Sequence, residues 1–341
     1  MNGGSRRRPT SFDVAERAGV SQPTVSRALS GSPAIAEATR RKVVEAAEAL
    51  GYFVDERAAR LRRGSTGTLA VVVICREGDN ASSINPFAYA LLGSVCVAAS
   101  ERGFETLVSF QARDANFFGH YQEQGRADGL VVIGTTTNSA AWEHFRKLEA
   151  EGRRVAYWGS PFDELDWVRS DNRLAGQLAV EHLLAAGYRR PCFLGALNTP
   201  QVQFTERYEG YAEAMRAAGH DPCLAPTVNA PTREEEGRRA ALRLIERGTD
   251  FDAIFAACDA MALGAIEALA AADIAVPQQV GVMGFDDLVA GRFSRPPLTT
   301  IAPDPAEAGA ALVEAVLDER ESNARRRVPV SLIARGSTLR S

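Results

Sequence analysis

The chain has 341 residues, 45% hydrophobic and 24% charged, with a formal net charge of −4. This suits a soluble globular protein of two or three domains, and no apolar run approaches the ~18–20 residues that a membrane span needs. Residues 1–63 carry 12 Lys/Arg against 7 Asp/Glu, and the rest carry 27 against 36, so a basic head precedes an acidic body; such a head suits a phosphate backbone or is simply a solvated face.

The chain opens Met-Asn-Gly-Gly-Ser-Arg-Arg-Arg-Pro, which is basic but leads into no hydrophobic stretch, so a cytoplasmic location is expected. Thr10 is placed to cap a first helix, with Asp13 closing a capping-box-like pair. Val14, Ala15 and Ala18 give that helix an apolar face, and Gly19 is suited to end it in a left-handed conformation. Ser21 caps a second helix, Gln22 to about Leu29, with Pro23 in the first turn where a missing N–H costs little. Val25, Ala28 and Leu29 face inward, which leaves Gln22, Pro23, Ser26 and Arg27 to look outward. Amide and guanidinium groups there have the donors and acceptors to read base edges in a major groove. A third helix, roughly Glu37 to Leu50, carries Val43, Ala47 and Leu50 and stops at Gly51. The pattern alone also fits a small three-helix bundle for dimerisation or linking.

At this point the residues resemble the lactose-repressor (LacI/GalR) family of bacterial transcription regulators. The matching stretches are Asp13-Val14-Ala15, Ala18-Gly19-Val20-Ser21, Thr24-Val25-Ser26-Arg27, Thr39-Arg40-x-Lys42-Val43 and Gly51-Tyr52. The resemblance implies that the helix opening at Ser21 enters the major groove, with Gln22 and Pro23 choosing bases. Thr24, Ser26 and Arg27 would contact phosphates or base edges, and Thr10 joins this DNA-binding set. Ala36 stands where the family usually caps the third helix with Ser. Losing such a cap costs about 1 kcal/mol.

Asp55 to Arg63 then reads as a charged linker, continuing into Gly64-Ser65-Thr66-Gly67-Thr68. The resemblance assigns it instead to a hinge helix, in which Leu61 wedges open a base step from the minor groove beside Arg60, Arg62 and Arg63. Asp55 replaces the usual Asn there. A helix this short depends on DNA and a partner chain for its order.

From Leu69 onward apolar runs alternate with amphipathic helices. Runs fall at Leu69–Cys75, Glu105–Phe110, Leu130–Ile133, Val155–Trp158, Pro191–Gly195, Ala253–Ala256, Gly281–Phe285 and Leu298–Ile301. Helical patterns include Pro86–Arg102, Arg173–Ala186, Arg207–Ala218, Arg233–Arg247 and Asp259–Ala271. This alternation predicts parallel sheets with helices on both faces, and ligands bind outside the carboxyl ends of such strands. No dinucleotide fingerprint, phosphate loop or nucleophile elbow is present. Asp286-Asp287 is a possible carboxylate dyad or metal site, although adjacent residues at a strand end usually point apart. The five cysteines, Cys75, Cys96, Cys192, Cys223 and Cys258, form no C-x-x-C pair and read as buried free thiols. The four histidines are scattered singly, so no His/Cys metal cluster is expected.

The resemblance continues through Ala127-Asp128-Gly129-Leu130, Ser170-Asp171-Asn172, Arg207-x-x-Gly210-Tyr211, Asp259-x-Met261-Ala262-Leu263-Gly264, Gly284-Phe285-Asp286-Asp287 and Pro297-Leu298-Thr299-Thr300-Ile301. It implies an all-α helix-turn-helix head, residues 1–54, and a hinge and linker, 55–67. An α/β periplasmic-binding-protein-like body of two parallel-sheet lobes follows, 68–168 with 302–331 and 169–301. In the cleft between lobes, Arg207 and Asp286 match the arginine and carboxylate that grip an effector. Gln201 and Gln203 lie in the loop before Arg207, and Phe87 and Trp158 are either ring contacts or core residues. Cys258 stands where Asn or Ser is common, Tyr157-Trp158-Gly159 lacks a frequent Asp, and the aromatic shelf is missing near Pro231-Thr232.

The expected function is therefore a homodimeric regulator, most simply a repressor. It would bind a near-palindromic double-stranded operator under control of a carbohydrate or related metabolite, with no enzyme activity, cofactor, metal or membrane. The rival classes are a solute-binding receptor, which needs export, and a sugar- or nucleotide-processing enzyme, which needs a nucleophile or phosphate loop.

Overall fold

A computed structural model describes residues 9–53, 64–75, 84–113, 117–134, 138–197, 202–318 and 325–339. Asp55, the hinge residues Arg60 and Leu61 with Arg62 and Arg63, and the loop residue Gln201 lie outside this set. Two compact units divide the chain, Met1–Thr66 and Gly67–Ser341.

The first unit holds α1 (Ser11–Ala18), α2 (Gln22–Leu29) and α3 (Glu37–Leu50). Thr10 and Asp13 form the expected capping box, and Gly19 and Gly51 end α1 and α3 at φ 65° and 63°. Val14, Val25 and Val43, each no more than 1% exposed, meet at the centre with Ala15, Ala28, Ala46 and Ala47. Each buried valine contributes about 1.5–3 kcal/mol, and Ala18, Val20, Leu29, Ile35, Leu50 and Tyr52 pack around this centre. Ala36 has the extended geometry of an N-cap, φ −60° and ψ 142°, but supplies no hydrogen bond. Ala36→Ser needs no backbone change to cap α3. It is expected to stabilise the head by about 1 kcal/mol and raise its calorimetric melting temperature by roughly 4–8 °C; an unshifted transition would show that α3 gains nothing from a cap.

The second unit begins with β1 (Thr68–Ile74), α4 (Pro86–Glu101), β2 (Glu105–Gln111), β3 (Gly129–Gly134), α5 (Ser139–Ala150), β4 (Val155–Trp158) and β5 (Trp167–Ser170). It continues through α6 (Asn172–Ala185), β6 (Pro191–Leu194), α7 (Val202–Ala217), β7 (Cys223–Leu224), α8 (Arg233–Glu246), β8 (Ala253–Ala256) and α9 (Asp259–Ala271). Last come β9 (Gly281–Phe285), α10 (Val289–Arg292), β10 (Thr299–Pro303), α11 (Pro305–Leu317), β11 (Arg326–Val328) and β12 (Val330–Ile333). These strands make two six-stranded sheets, ordered β11-β5-β4-β3-β1-β2 and β12-β10-β9-β8-β6-β7. The pairings are parallel except β10 with β12. Each sheet is the centre of one lobe.

Alternate residues of β1 explain the layering. Leu69 and Val71 join the core under α4 and α11, whereas Ala70, Val72 and Ile74 join the one under α5. Both faces are covered, as continuous apolar parallel strands require. The chain passes between sheets after β5, after β10 and between β11 and β12.

The expected runs all become strands, but several elements carry too little apolar pattern to be read in advance. Trp167–Ser170 and Arg326–Val328 are strands that hold buried or paired arginines. α7 starts at Val202 rather than Arg207, because Phe204, Tyr208, Tyr211 and Met215 continue one inward stripe. The expectation of five free thiols is also corrected. Cys192 and Cys223 are register partners on β6 and β7 and are joined as a disulfide, while Cys75, Cys96 and Cys258 stand outside it. Their separation of 31 residues hid the pairing, which only strand register reveals.

Candidate ligand site and nucleic-acid interface

In the first unit, Ser21, Pro23, Ser26 and Arg27 are exposed, because Val25 and Ala28 take the inward side of α2. Ser21 caps α2 by accepting from the Thr24 N–H, and the two hydroxyls lie 2.8 Å apart. Gln22 is half-buried and donates its amide to Ser11 Oγ at 3.2 Å, so it bridges the starts of α1 and α2. The Thr10 hydroxyl is occupied by Asp13 Oδ2 at 2.7 Å. No acidic residue stands in the first turn of α2. Its N-terminus therefore presents backbone N–H groups and the positive end of the helix dipole, which favour an anion such as phosphate.

In the second unit, Gly176 and Gly210 determine how the candidate ligand site is built. A Cβ on Gly176 would lie 2.3 Å from the Arg207 carbonyl, and one on Gly210 would lie 2.0 Å from that of Arg173. Glycine at both positions lets α6 and α7 touch backbone to backbone, which puts Asn172 beside Arg207. Arg207 Nε donates to Asn172 Oδ1 at 2.9 Å, and Nη1 donates to the Ala257 carbonyl. The guanidinium lies 3.4 Å over the Phe285 ring, a cation–π contact. Burial pushes the Arg207 pKa down to about 10, and the pull of Asp286 opposes this. It remains charged at neutral pH.

Asp286 follows β9 with φ 117°, and Asp287 has φ 52°. Two successive residues in the left-handed half of backbone space swing the carboxylates apart. Asp286 accepts from Asn85 Nδ2 at 3.3 Å, whereas Asp287 takes Arg292 and Arg335, each at 2.6 Å. Withdrawal from water pushes Asp286 up to about 6, while Arg207 and Asn85 pull it down. Arg207 and Asp286 attract one another without forming a direct ion pair among the described residues. Cys258 is 5% exposed, and burial raises its thiol to about 12, so it is neutral.

The other lobe contributes Phe87 and Trp158, with ring centroids 5.5 Å apart. Phe87 belongs to the lobe's core, and half-buried Trp158 packs against it. Gln203 lies in the first turn of α7, not in a loop, and donates to the Gly159 carbonyl at 2.9 Å. Gly159 has φ 69°, and a Cβ there would strike the Gln203 amide, so only glycine permits this contact. The Asn85–Asp286 and Gln203–Gly159 bonds thus bring Phe87, Trp158, Gln203, Arg207 and Asp286 together from both lobes. Asn85 and Asn172 were not among the expected site residues, although Asn172 belongs to a stretch that carries the resemblance. Their signal was position: each is a polar residue at a helix start beyond a parallel strand.

Ligand hydroxyls that bind Asp286 need it ionised. Affinity for such a ligand is expected to be level above pH 7 and to weaken about tenfold per unit below about pH 6. Calorimetric titration at several pH values checks this, and a flat profile from pH 5 to 8 would remove Asp286 from the contact.

The chain is similar to known regulators along nearly its whole length. The model of bacterial regulatory proteins of the lacI family matches residues 12–54, and that of a periplasmic binding protein-like domain matches residues 180–338. The HTH-type transcriptional regulator CelR of Thermobifida fusca is 32% identical over 304 residues, 87% of each chain. The ribose operon repressor of Escherichia coli (strain K12) is 30% identical over 313 residues, 90% of this chain and 92% of the relative. The structure of a CelR–cellobiose complex, 29% identical, superposes with TM-score 0.69 over 97% of this chain and 100% of that one. A lac repressor dimer bound to operator and the anti-inducer ONPF shares the fold, with TM-score 0.77 at 22% identity over 98% and 100%. These relatives are transcription regulators. With a helix-turn-helix head, a two-lobed parallel-sheet body and relatives matching both together, the chain belongs to the lacI family of bacterial regulatory proteins.

Proposed function

We propose that the protein is a homodimeric transcription repressor whose affinity for a near-palindromic operator is set by a carbohydrate or related metabolite held between its lobes. The observation that carries the ligand reading is the placement of Arg207 and Asp286 beyond strand ends, oppositely charged yet not paired. A ligand rich in hydroxyls can accept from one and donate to the other, with Gln203 as a further polar contact and Trp158 as an apolar wall. The ligand complex of CelR with cellobiose and the name of the ribose operon repressor support a sugar. The neutral Cys258 thiol and the aromatic pair favour a ligand with an apolar ring face.

In the head, Pro23, Ser26 and Arg27 meet DNA, with Gln22 released from Ser11 to reach a base edge and Thr10, Ser21 and Thr24 near phosphates. Arg60 and Leu61 of the hinge complete the interface from the minor groove. Rotation of the two lobes about the chain crossings after β5, after β10 and between β11 and β12 would change the spacing of two hinges. A ligand then shifts operator affinity by preferring one arrangement.

The partner is a second copy of the chain. Val97 on α4 is 60% exposed, and Tyr89 on α4 meets Phe110 on β2 at 6.2 Å, with Phe110 49% exposed. β2 is an edge strand, and an apolar edge of this kind needs a cover. Selection of full-length protein against random-sequence DNA tests the central reading. It should enrich two inverted half-sites, and a pool without a shared motif would overturn it.

A further inference from the structure

Between the cleft and the chain crossings lies a network of buried charge that ligand binding alone does not require. Glu206, beside Arg207 on α7, is 6% exposed. Its Oε1 accepts from Arg327 Nη2 at 2.8 Å and from Arg169 Nη1 at 3.2 Å. Its Oε2 accepts from Asn172 Nδ2 at 2.8 Å and from Arg327 Nη1 at 3.2 Å. Asn172 is therefore shared, since its Oδ1 accepts from Arg207 and its Nδ2 donates to Glu206.

The two arginines come from the other lobe. Arg169 on β5 and Arg327 on β11 are register partners on adjacent parallel strands. Both guanidiniums lie over the Trp167 ring, at 4.1 and 5.4 Å. Like charges placed side by side repel, and Arg169 is only 1% exposed. Arg169 also meets Asp163, whose side chain is 76% exposed, and the Ser160 carbonyl at 2.5 Å. The carboxylate that lies between both arginines is Glu206. Ser170 ends β5 immediately before the chain passes into α6, and Val328 ends β11 immediately before it passes to β12.

We propose that Glu206 is the positioning residue for Arg207: it anchors that arginine through Asn172 and, with the same carboxylate, fastens two of the strands through which the chain passes between lobes. A shift of Arg207 is then felt at both crossings, although among the described residues no hydrogen bond joins Arg207 to either strand. A carboxylate at this position does for the two strands what no neutral residue can, because it offsets both positive charges at once.

The importance of this network for regulation rests on the cleft being a ligand site, so the test uses neither ligand nor DNA. Hydrogen–deuterium exchange is followed in the full chain for Glu206→Gln, Arg207→Met, the double variant and a control, Glu246→Gln, whose exposed carboxylate pairs with Arg243 on α8. Glu206→Gln should speed exchange about tenfold or more across residues 168–173 and 325–331. Arg207→Met should speed the same two segments a few-fold, and adding it to Glu206→Gln should change nothing further. Glu246→Gln should match wild type. If Glu206→Gln unfolds the lobe, Arg207→Met alone decides. Unchanged exchange at 325–331 in Arg207→Met, or multiplying effects in the double variant, would overturn the proposal. Either outcome leaves the DNA and ligand readings to their own assays.

Discussion

Arg207→Met is expected to weaken ligand binding by about 2–4 kcal/mol, or roughly 30- to 1000-fold, while operator binding without ligand persists. The size follows from burial. Arg207 is 6% exposed, stacked on Phe285 and fixed by Asn172 and the Ala257 carbonyl, so its charge is pre-aimed and little screened. Methionine keeps the apolar stem and removes only the donors and the charge. Its removal also leaves Asp286 without its main attraction, so the carboxyl should titrate above its present value of about 6. Calorimetric titration with cellobiose and ribose, beside operator binding, separates the two effects. A wild-type ligand response in this variant would exclude Arg207 from the site.

The second large effect concerns assembly. Val97→Arg with Phe110→Arg puts two charges on the exposed face shared by α4 and β2, and is expected to leave the protein monomeric in sedimentation equilibrium. Each head then binds one half-site alone, and operator affinity should fall by about 10²- to 10⁴-fold, the advantage that joining two modules confers. Half-site affinity should stay as it was, because neither residue lies in the head. A dimer that survives both substitutions would place the second copy on another face.

The head was legible in the sequence because its signals are local. The capping box at Thr10 and Asp13, the ends at Gly19 and Gly51 and the three central valines each depend on residues within one or two turns. The sheets were legible where strands are apolar throughout, as in β1. Legibility failed where polar residues are buried by partners distant in the chain. β5 and β11 hold Arg169 and Arg327, which look like surface residues until Glu206 is seen between them. The Cys192–Cys223 pair failed for the same reason, since it depends on which strands are neighbours. In the candidate site, Arg207 and Asp286 were identifiable by resemblance. The early start of α7, which carries Gln203 as helix rather than loop, came from the packing of Phe204.

The central claim is that one chain couples operator affinity to a ligand in its cleft. The direct measurement is fluorescence anisotropy of the full protein on DNA from upstream of its own gene, at fixed salt, with and without saturating cellobiose, ribose and a panel of related metabolites. The account predicts tight binding to that DNA over a scrambled duplex, and a shift of roughly 5- to 150-fold with one class of ligand. Equal affinity for both duplexes, unmoved by any ligand that calorimetry shows to bind, would contradict it.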